Sequence, residues 1–458
     1  MLSRAAEYSV DTFFFMGGFL ACFGTILDEI SRGNLDGRFS FATYWRNLVL
    51  RYTRLTPVYV FTMFAYMKLM PFMGSGPFYE AAQGIAVKEA ECRYWWTNIL
   101  YLNDLVPYGP EGGLKGCVGW SWYLANDMQF FLLVLPCVCV YLKTQGRWVS
   151  YLPPVALIVI QLASTWWTMT AYDIRGSFDT DYNAYLYVKP WCRVSPYAVG
   201  IIFALWHHSR LAQKKQWKLS SHLFHGLPPF LVALIAFALL LVIGFAPYYQ
   251  LRCEADDPKT DCNVFGGFIV YGAVVAKNWS HGEVTAYFVL TYLGWGIAVG
   301  LVFMYLFSGR GGVVHSLFSM QSLVPLARLS YSVYLVHIPI IQYMFTTSTR
   351  PLYVSKQSQL TMTVAVVVVA YVVSLLLYLV VERPAMSVIS ILLRRLGIVA
   401  PPEQAAPPSS SSSSSTMTGS SSAATSTSGG SSEDLNRGGE AIASDGQLRQ
   451  PLLVRGSH

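Results

Sequence analysis

Long apolar runs, separated by short polar segments, follow one another along most of the chain. A helix needs about 20 apolar residues to cross a bilayer, so the pattern predicts roughly nine membrane-spanning helices. We expect them near residues 10–30, 55–73, 120–142, 148–170, 190–206, 227–247, 284–307, 323–344 and 360–381. The expected fold class is therefore all-α, a polytopic membrane helix bundle.

The composition agrees with a membrane protein. Hydrophobic residues make up 53% of the chain and charged residues only 12%, which is about half the charged fraction of a soluble globular protein. The net charge of +7 is typical of membrane proteins that collect Lys and Arg on cytoplasmic loops. No basic run is long enough to suggest a nucleic-acid partner, so we expect none.

The basic residues also predict an orientation. They concentrate in the loop 31–54, after the fifth span at 210–218, and after the last span at 383–395. With nine spans these three segments share one side, which the positive-inside rule makes cytoplasmic. We therefore expect the N-terminus to be lumenal or outside and the C-terminus to be cytoplasmic.

The loops expected on the opposite side hold two cysteine pairs and a glycosylation sequon. Cys92 and Cys117 form one pair, and Cys253 and Cys262 form the other. We expect disulfides in an oxidising compartment, with free thiols on flexible loops as the alternative. Asn278 starts an Asn-Trp-Ser sequence and is a candidate glycosylation site.

The chain changes character near residue 400. Prolines are followed there by a run of serines from Ser409 to Ser415. Such a segment has too few apolar residues to offset its chain entropy. We expect residues 1–399 to form the membrane domain and residues 400–458 to form a disordered, Ser-rich cytoplasmic tail.

The most informative polar residues lie in the third predicted span. Asn126, Asp127 and Gln129 follow Trp120 and Trp122 there. Polar groups inside a bilayer are costly unless they are paired, so three within one turn indicate a functional site. Asp127 is a candidate general base, or a group that holds and polarises another. A structural network of hydrogen bonds between helices is the alternative.

Two arginines precede the second span at the cytoplasmic side. Arg51 and Arg54 are spaced i and i+3, so they lie on one helical face. Arginine offers bidentate donors that suit phosphate groups, and a cytosolic donor such as coenzyme A would fit. Anchoring of the helix by snorkelling arginines is the alternative.

A third set of polar residues lies in the eighth span. Ser330, Tyr334 and His337 are spaced i, i+4 and i+7 and share one helical face. His337 is an ionisable group deep in a predicted span. The set is a candidate lining for a site, with a satisfied core histidine as the alternative.

Further charged residues mark the ends of spans. Asp11 begins the first span, where an acid stabilises a helix N-terminus as a cap. Lys189 and Arg193 enter the fifth span from the side that topology does not favour for cations, so we expect them to have partners there. Glu382 and Arg383 close the last span. We assign structural roles to Asp11, Glu382 and Arg383, with Glu382 paired to an arginine.

Taken in order, these motifs resemble the acyltransferase 3 family and, within it, the nose-resistant-to-fluoxetine-like branch. The resemblance runs from about Ser9 to Pro384. The matching elements are SVDTFFFMGG, RYTRLTP, WSWYLANDMQFF, YVKPWCRVSPY, LSYSVYLVHIP and the final VERP. The resemblance implies an integral-membrane enzyme that moves an acyl group from cytosolic acyl-CoA to a hydroxyl on the far side of the membrane.

The resemblance also implies roles and partners. The donor would be acyl-CoA, no metal is expected, and the acceptor would be a hydroxyl-bearing lipid, sterol, glycan or small molecule in contact with membrane lipid. The expected membrane is the endoplasmic reticulum, another endomembrane or the plasma membrane. Candidate catalytic residues are Asn126, Asp127 and His337. Candidate substrate-binding residues are Arg51, Arg54, Trp120, Trp122, Gln129, Arg193, Ser330 and Tyr334.

One departure from the family pattern leaves a second function open. Family members carry a further helix before the VDTFF segment, with an Arg and the His regarded as catalytic, whereas Met1 lies only ten residues before Asp11. We expect either an incomplete chain or a short form without the usual base, and a replacement role for His337 is a hypothesis. The alternative function is a non-enzymatic membrane transporter or a partner-binding pseudoenzyme.

Overall fold

A computed structural model gives the fold. It describes residues 7–34, 38, 41–109, 114, 116–174, 181–212, 229–245, 281–307, 312–349 and 355–397. The regular structure of these residues is helical, which confirms the all-α membrane bundle expected from the apolar pattern. The predicted tail at 400–458, the Cys253–Cys262 pair and the Asn278 sequon lie outside the described residues, and they remain predictions.

Helices of very different lengths make up the bundle. The first five are α1 (Ser9–Ser31), α2 (Phe41–Phe64), α3 (Pro77–Gln83), α4 (Ile85–Glu91) and α5 (Trp95–Ile99). The next five are α6 (Trp122–Phe131), α7 (Val134–Lys143), α8 (Leu152–Ala171), α9 (Val194–Ala212) and α10 (Pro229–Phe245). The last five are α11 (His281–Phe307), α12 (Gly312–Phe318), α13 (Leu323–Thr346), α14 (Lys356–Leu377) and α15 (Arg383–Arg395).

Local sequence explains several helix boundaries. Pro77 opens α3, and Pro is favoured in the first turn because its missing N–H has no partner there. Ser355 and Ser358 form a reciprocal capping box at the start of α14, which satisfies free N–H groups of its first turn. At its other end, α14 runs through a wider π-helical turn at Tyr378–Glu382 directly into α15.

Within the described residues, six helical segments are long and apolar enough to cross a membrane. They are Ser9–Ser31, Gly119–Lys143, Trp148–Ala171, His281–Phe307, Leu323–Thr346 and Gln357–Arg395. The other predicted spans, at 55–73, 190–206 and 227–247, also coincide with helices, but these are shorter or less apolar. Multi-pass membrane character is thus supported, whereas the count of nine spans and the orientation remain predictions.

Two glycines allow α1 and α9 to cross in close contact. A Cβ atom on Gly18 would lie 2.2 Å from the Tyr197 carbonyl oxygen, and one on Gly200 would lie 2.2 Å from the Phe15 carbonyl oxygen. Neither position has room for a side chain, so each glycine lets the backbones approach. Small residues serve the same purpose wherever membrane helices cross closely. The crossing fixes α1, which carries Asp11, against α9, which begins directly after Arg193.

The segment between α4 and α6 is closed by a disulfide and folds into the bundle. Cys92 and Cys117 are bonded, which confirms that predicted pair. Within the loop, Asn98, Tyr101 and Asp104 are buried, although a lumenal loop rich in polar residues is expected to be exposed. These residues take hydrogen-bond partners on α2 and α6, which explains how polar groups can be buried there.

Candidate functional site

The segment around α6 contacts four neighbouring parts of the bundle with side chains that face in different directions. Trp120 reaches α13, Asn126 reaches the turn before α9, Asp127 reaches α2, and Gln129 reaches the disulfide-closed loop. The polar residues of the predicted site therefore do not form one cluster. They form separate paired contacts distributed around the helix.

Asp127 forms an ion pair with Arg51. Arg51 Nη2 donates to Asp127 Oδ2, and the Arg51 guanidinium also stacks 4.6 Å from the centre of the Phe131 ring. The two side chains are 24% and 9% exposed. A Cβ on Gly17 of α1 would lie 3.1 Å from Asp127 Oδ1, so α1 closes the other side of the carboxylate. Arg51 is thus bound to Asp127 and does not stand open beside Arg54.

Asn126 and Trp122 point the other way, toward α9. Asn126 Nδ2 donates to the Val188 carbonyl at 3.2 Å, and its Oδ1 is buried with no partner in the part of the chain that the structure describes. The ring of Trp122 lies 4.8 Å from that of Tyr187. Neither side chain contacts the Arg51–Asp127 pair. Asn126 therefore holds the chain before α9 against α6.

Arg193 is fully buried and paired with Asp11. Its Nη1 donates to both Asp11 oxygens at 2.9 and 3.2 Å, and both side chains are 0% exposed. The guanidinium carbon lies 4.2 Å from the ring centre of Tyr292, 4.3 Å from Tyr187 and 5.4 Å from Trp122. Aromatic faces stabilise a desolvated cation. Asp11 is therefore the ion-pair partner of Arg193, and it lies in the first turn of α1, whose N-cap residue is Tyr8.

Gln129 and Lys189 hold the disulfide-closed loop through Asp104. Gln129 Nε2 donates to the Asp104 carboxylate at 2.9 and 3.1 Å, and Lys189 Nζ donates to the Asp104 carbonyl at 2.5 Å. Burial raises the pKa of the Asp104 carboxyl to about 7 and lowers the pKa of the Lys189 ammonium. The amide of Gln129 is thus engaged within the protein.

His337 is joined to α6 through Tyr334. The Tyr334 hydroxyl donates to the Trp120 carbonyl, and the Trp120 indole donates to the Leu335 carbonyl at 3.3 Å. His337 Nδ1 lies 2.6 Å from the Tyr334 carbonyl, so Nδ1 carries the proton and Nε2 is the free acceptor. Ser330 shares the helical face but is exposed and bonds back to the Ala327 carbonyl.

Aromatic rings separate His337 from the Arg51–Asp127 pair. The ring of Tyr123, one turn before Asp127, lies 5.6 Å from the ring of Tyr334, which in turn lies 5.8 Å from His337. No hydrogen bond joins Asp127 to His337 among the residues that the structure describes. The two candidate catalytic groups are therefore not in contact, and they are linked through tyrosine rings.

Sequence reasoning missed a buried polar network beside Trp120. The Tyr59 hydroxyl lies 2.7 Å from Ser121 Oγ, and Asn98 Nδ2 donates to Tyr59 at 2.8 Å. Asn103 Nδ2 donates to Ser121 Oγ at 3.2 Å. Asn98 lies in the short helix α5 and Asn103 in the loop after it, so only their closeness to apolar aromatic residues could have suggested burial.

Three exposed arginines lie where α2, α13 and α15 meet. The junction is held by hydrogen bonds from the Tyr331 hydroxyl to the Leu55 carbonyl and from Ser332 Oγ to Glu382 Oε2, at 2.8 and 3.1 Å. Arg54, Arg328 and Arg383 each lie within about one helical turn of a residue that makes these bonds. All three are exposed, and Arg54 lies close enough to the Glu382 carboxyl to interact with it electrostatically. Arg328 was not among the residues expected from sequence.

The sequence predicts no metal site. Among the residues that the structure describes, no group of three or more His, Cys, Asp and Glu side chains could hold a metal ion. The absence of a metal remains a prediction.

Comparison with known proteins gives a family match over most of the chain. The acyltransferase domain family matches residues 1–379. The chain is 26% identical to nose resistant to fluoxetine protein 6 of Caenorhabditis elegans over 398 residues. That alignment covers 83% of this chain and 44% of the relative, so the chain spans less than half of the relative's length. No solved structure matches the chain.

Proposed function

Because the chain belongs to the acyltransferase 3 family, we propose that it moves an acyl group from cytosolic acyl-CoA to a hydroxyl acceptor within the membrane. Membership and the membrane-helix fold make it a membrane acyltransferase-like protein. The donor and the acceptor class are the parts that we propose. The name of the relative refers to fluoxetine resistance and does not identify a substrate for this chain.

The observation that carries the proposal is the contrast between Arg51 and Arg54. Arg51 is bound to Asp127 by a direct ion pair, whereas Arg54, one turn along α2, is exposed and interacts with the Glu382 carboxyl only through its electrostatic field among the described residues. Guanidinium groups bind phosphate oxygens in bidentate fashion, so open arginines suit the phosphates of coenzyme A. We assign Arg54, with Arg328 and Arg383 around the same junction, to hold those phosphates.

Asp127 takes a positioning role in this proposal. Its carboxylate holds Arg51, and the pair fixes α6 against α2 beside the open arginines. This is the second of the two roles expected for Asp127, to hold another group. Buried ion pairs of this kind also specify how helices pair.

His337 is the candidate base. With Nδ1 engaged by the Tyr334 carbonyl, Nε2 has a free lone pair. Nε2 would take the proton of the acceptor hydroxyl as that oxygen bonds to the thioester carbonyl carbon. The carbon–sulfur bond then breaks, and the coenzyme A thiolate leaves and takes up a proton.

Binding of the donor tests the arginine assignment. The full chain in nanodiscs is titrated with oleoyl-CoA, and the variant Arg54→Gln with Arg328→Gln is compared with Arg32→Gln, which changes an arginine near the end of α1. We expect the double variant to weaken binding by at least about tenfold, since hydrogen bonds between charged groups contribute ~1.5–3 kcal/mol each, and the control to bind normally. Equal affinities in all three proteins would refute the assignment.

A transporter or pseudoenzyme is the second candidate, and one observation favours it. Buried polar atoms without a described partner, namely Asn126 Oδ1, Ser195 Oγ and Tyr197 OH, lie on α6 and α9. Polar groups in a membrane interior also mark transport paths. Donor binding without any release of coenzyme A in the presence of hydroxyl compounds would favour this candidate over the enzyme.

A further inference from the structure

A buried lysine lies near the C-terminal end of α2, beyond Arg54. Lys88, on the short helix α4, is 2% exposed. Its ammonium donates to the Tyr66 hydroxyl at 2.7 Å and to Glu91 Oε2 at 2.8 Å, and it lies 4.3 Å from the centre of the Tyr66 ring. Tyr66 is twelve residues beyond Arg54, which is about 18 Å along a helix.

A chain of hydrogen bonds runs from the lysine through Tyr66 to α13. The Tyr66 hydroxyl donates to Gln342 Oε1 at 2.8 Å, and Gln83 Nε2 donates to the same oxygen at 3.3 Å. Three separate elements therefore meet at the Gln342 amide. Gln342 is five residues from His337 on the same helix, which is about 7.5 Å along its axis.

Two hydrogen-bonding positions in this cluster are open. Gln83 is fully buried, yet its Oε1 has no hydrogen-bond partner among the described residues. Lys88 has three N–H donors, and the structure gives it two acceptors. The cluster thus offers both an acceptor and a donor to a further group, and buried polar groups of this kind are nearly always satisfied.

The charge of the cluster indicates what that group is. Glu91 neutralises Lys88, so the pair carries no net charge and an ion would gain little there. A hydroxyl group both donates and accepts, and it matches the two open positions. The ring of Trp120 stands edge-on to Tyr66 at 5.2 Å and gives the cluster an apolar wall.

The disulfide holds both walls of this cluster in place. Cys92 follows Lys88 by four residues, and Cys117 precedes Trp120 by three. The bond therefore ties the helix that carries Lys88 to the segment that carries Trp120, with Tyr66 between them. A preformed site loses less entropy when a ligand binds.

We propose that Tyr66, Gln83, Lys88 and Gln342 bind a neutral, hydroxyl-bearing molecule, and that this molecule is the acyl acceptor. The second half of this inference rests on the proposed acyltransferase function. The site would place the acceptor beside α13, the helix that carries His337, and about 18 Å along the chain direction of α2 from Arg54.

Photolabelling of the full chain tests the site. The probe is a diazirine-tagged 1-monoacylglycerol, a neutral diol, and labelled peptides are mapped by mass spectrometry. We expect labels on peptides that contain Tyr66 or Gln342, displaced by untagged monooleoylglycerol and not by oleate. Labels spread evenly over lipid-facing helices, or equal displacement by oleate, would overturn the proposal.

Substitutions make the test specific. Gln342→Leu with Gln83→Leu should reduce the mapped labelling about fivefold or more, the equivalent of roughly one hydrogen bond. Tyr66→Phe keeps the ring and should also reduce it, which guards against a misfolded double variant. Gln357→Leu, on the exposed start of α14, should label like the unchanged protein. Unchanged labelling in Tyr66→Phe and in the double variant would refute the site.

Donor binding in the same variants separates the two proposals. Oleoyl-CoA binding should be unchanged in Tyr66→Phe, because the donor is assigned to Arg54 and its neighbours, about 18 Å from Tyr66 along the helix. Labelling at Tyr66 in a chain that binds no oleoyl-CoA would support a hydroxyl site and refute the acyltransferase proposal. Loss of donor binding in Tyr66→Phe would contradict a separate acceptor site.

Discussion

Arg51 and Asp127 form an ion pair inside the bundle, although 76 residues separate them in the chain. The pair joins α2 to α6. It also leaves Arg54 as the open arginine of the two that share a face. Arg51 therefore has a structural role, and phosphate binding by Arg54 is the part that we propose.

Breaking this pair should destabilise the protein more than removing both partners. Asp127→Asn alone leaves a desolvated guanidinium, and a buried charge without its partner costs about 3–5 kcal/mol, less where water reaches the arginine. The double variant Arg51→Gln, Asp127→Asn should recover part of that loss. Thermal unfolding of both single variants and the double variant measures the coupling. Strictly additive losses would show that the two side chains do not interact.

The Asp11–Arg193 pair should be the more sensitive of the two, because both side chains are 0% exposed. We expect Asp11→Asn to lower stability by about 3–5 kcal/mol. Asp28→Asn is the matched control on the same helix, since Asp28 pairs with Arg32 and Arg46 at the surface and is 30% exposed, and it should cost about 1 kcal/mol. Yields and unfolding temperatures in detergent compare the two, and similar losses would contradict the account.

The crossing of α1 and α9 predicts a clear difference between two glycines of one helix. A Cβ on Gly18 would lie 2.2 Å from the Tyr197 carbonyl oxygen, whereas a Cβ on Gly24 meets nothing within 4 Å. Gly18→Ala should cost about 1–3 kcal/mol or prevent folding, because backbone must move. Gly24→Ala should be neutral or stabilising by up to ~1 kcal/mol, since alanine favours helix. Equal tolerance of both changes, judged by unfolding temperature, would exclude the close crossing.

Asp104 should make stability depend on pH. Burial raises its pKa to about 7, while an unfolded aspartate titrates near ~3.9. The folded chain therefore binds this proton more tightly, so the contribution of Asp104 is greatest below pH ~4 and is lost as the pH rises through about 7.

Asp104→Asn removes that titration and keeps an acceptor for Gln129. The variant should gain stability relative to the unchanged protein as the pH rises from 5 to 8 (about the range in which the native carboxyl ionises). Unfolding temperatures of both proteins across this range measure the difference. A difference that does not change with pH would contradict a raised pKa.

The sequence predicted the helices and their important polar residues better than it predicted the partners of those residues. Apolar periodicity identified the helices, and the cost of polar groups in a bilayer drew attention to Asp127 and Arg193. Spacing along one chain does not encode which distant helix supplies the opposite charge, so the sequence could not reveal that Arg51 pairs with Asp127 or that Asp11 pairs with Arg193. The cation at Arg193 did require a partner, and Asp11 provides it.

Loops were predicted less well than helices. Asn103 and Asp104 are turn-forming residues that usually lie in water, yet here they are buried against α6. Asp104 is held by Gln129 and Lys189, and Asn103 by Ser121, which all come from other parts of the chain. Arg328 was missed because one exposed arginine near a helix end is ordinary. Its position beside Arg54 becomes visible only once α13 is packed against α2.

Acyl transfer itself is the most direct test of the account. The full chain in liposomes that contain monooleoylglycerol is given oleoyl-CoA, and the release of coenzyme A thiol and the formation of acylated lipid are measured together. We expect both products above protein-free liposomes. His337→Ala should reduce turnover by ~100-fold or more, the usual contribution of a general base, while oleoyl-CoA still binds. Turnover no faster than in protein-free liposomes, or turnover unaffected in His337→Ala, would contradict it.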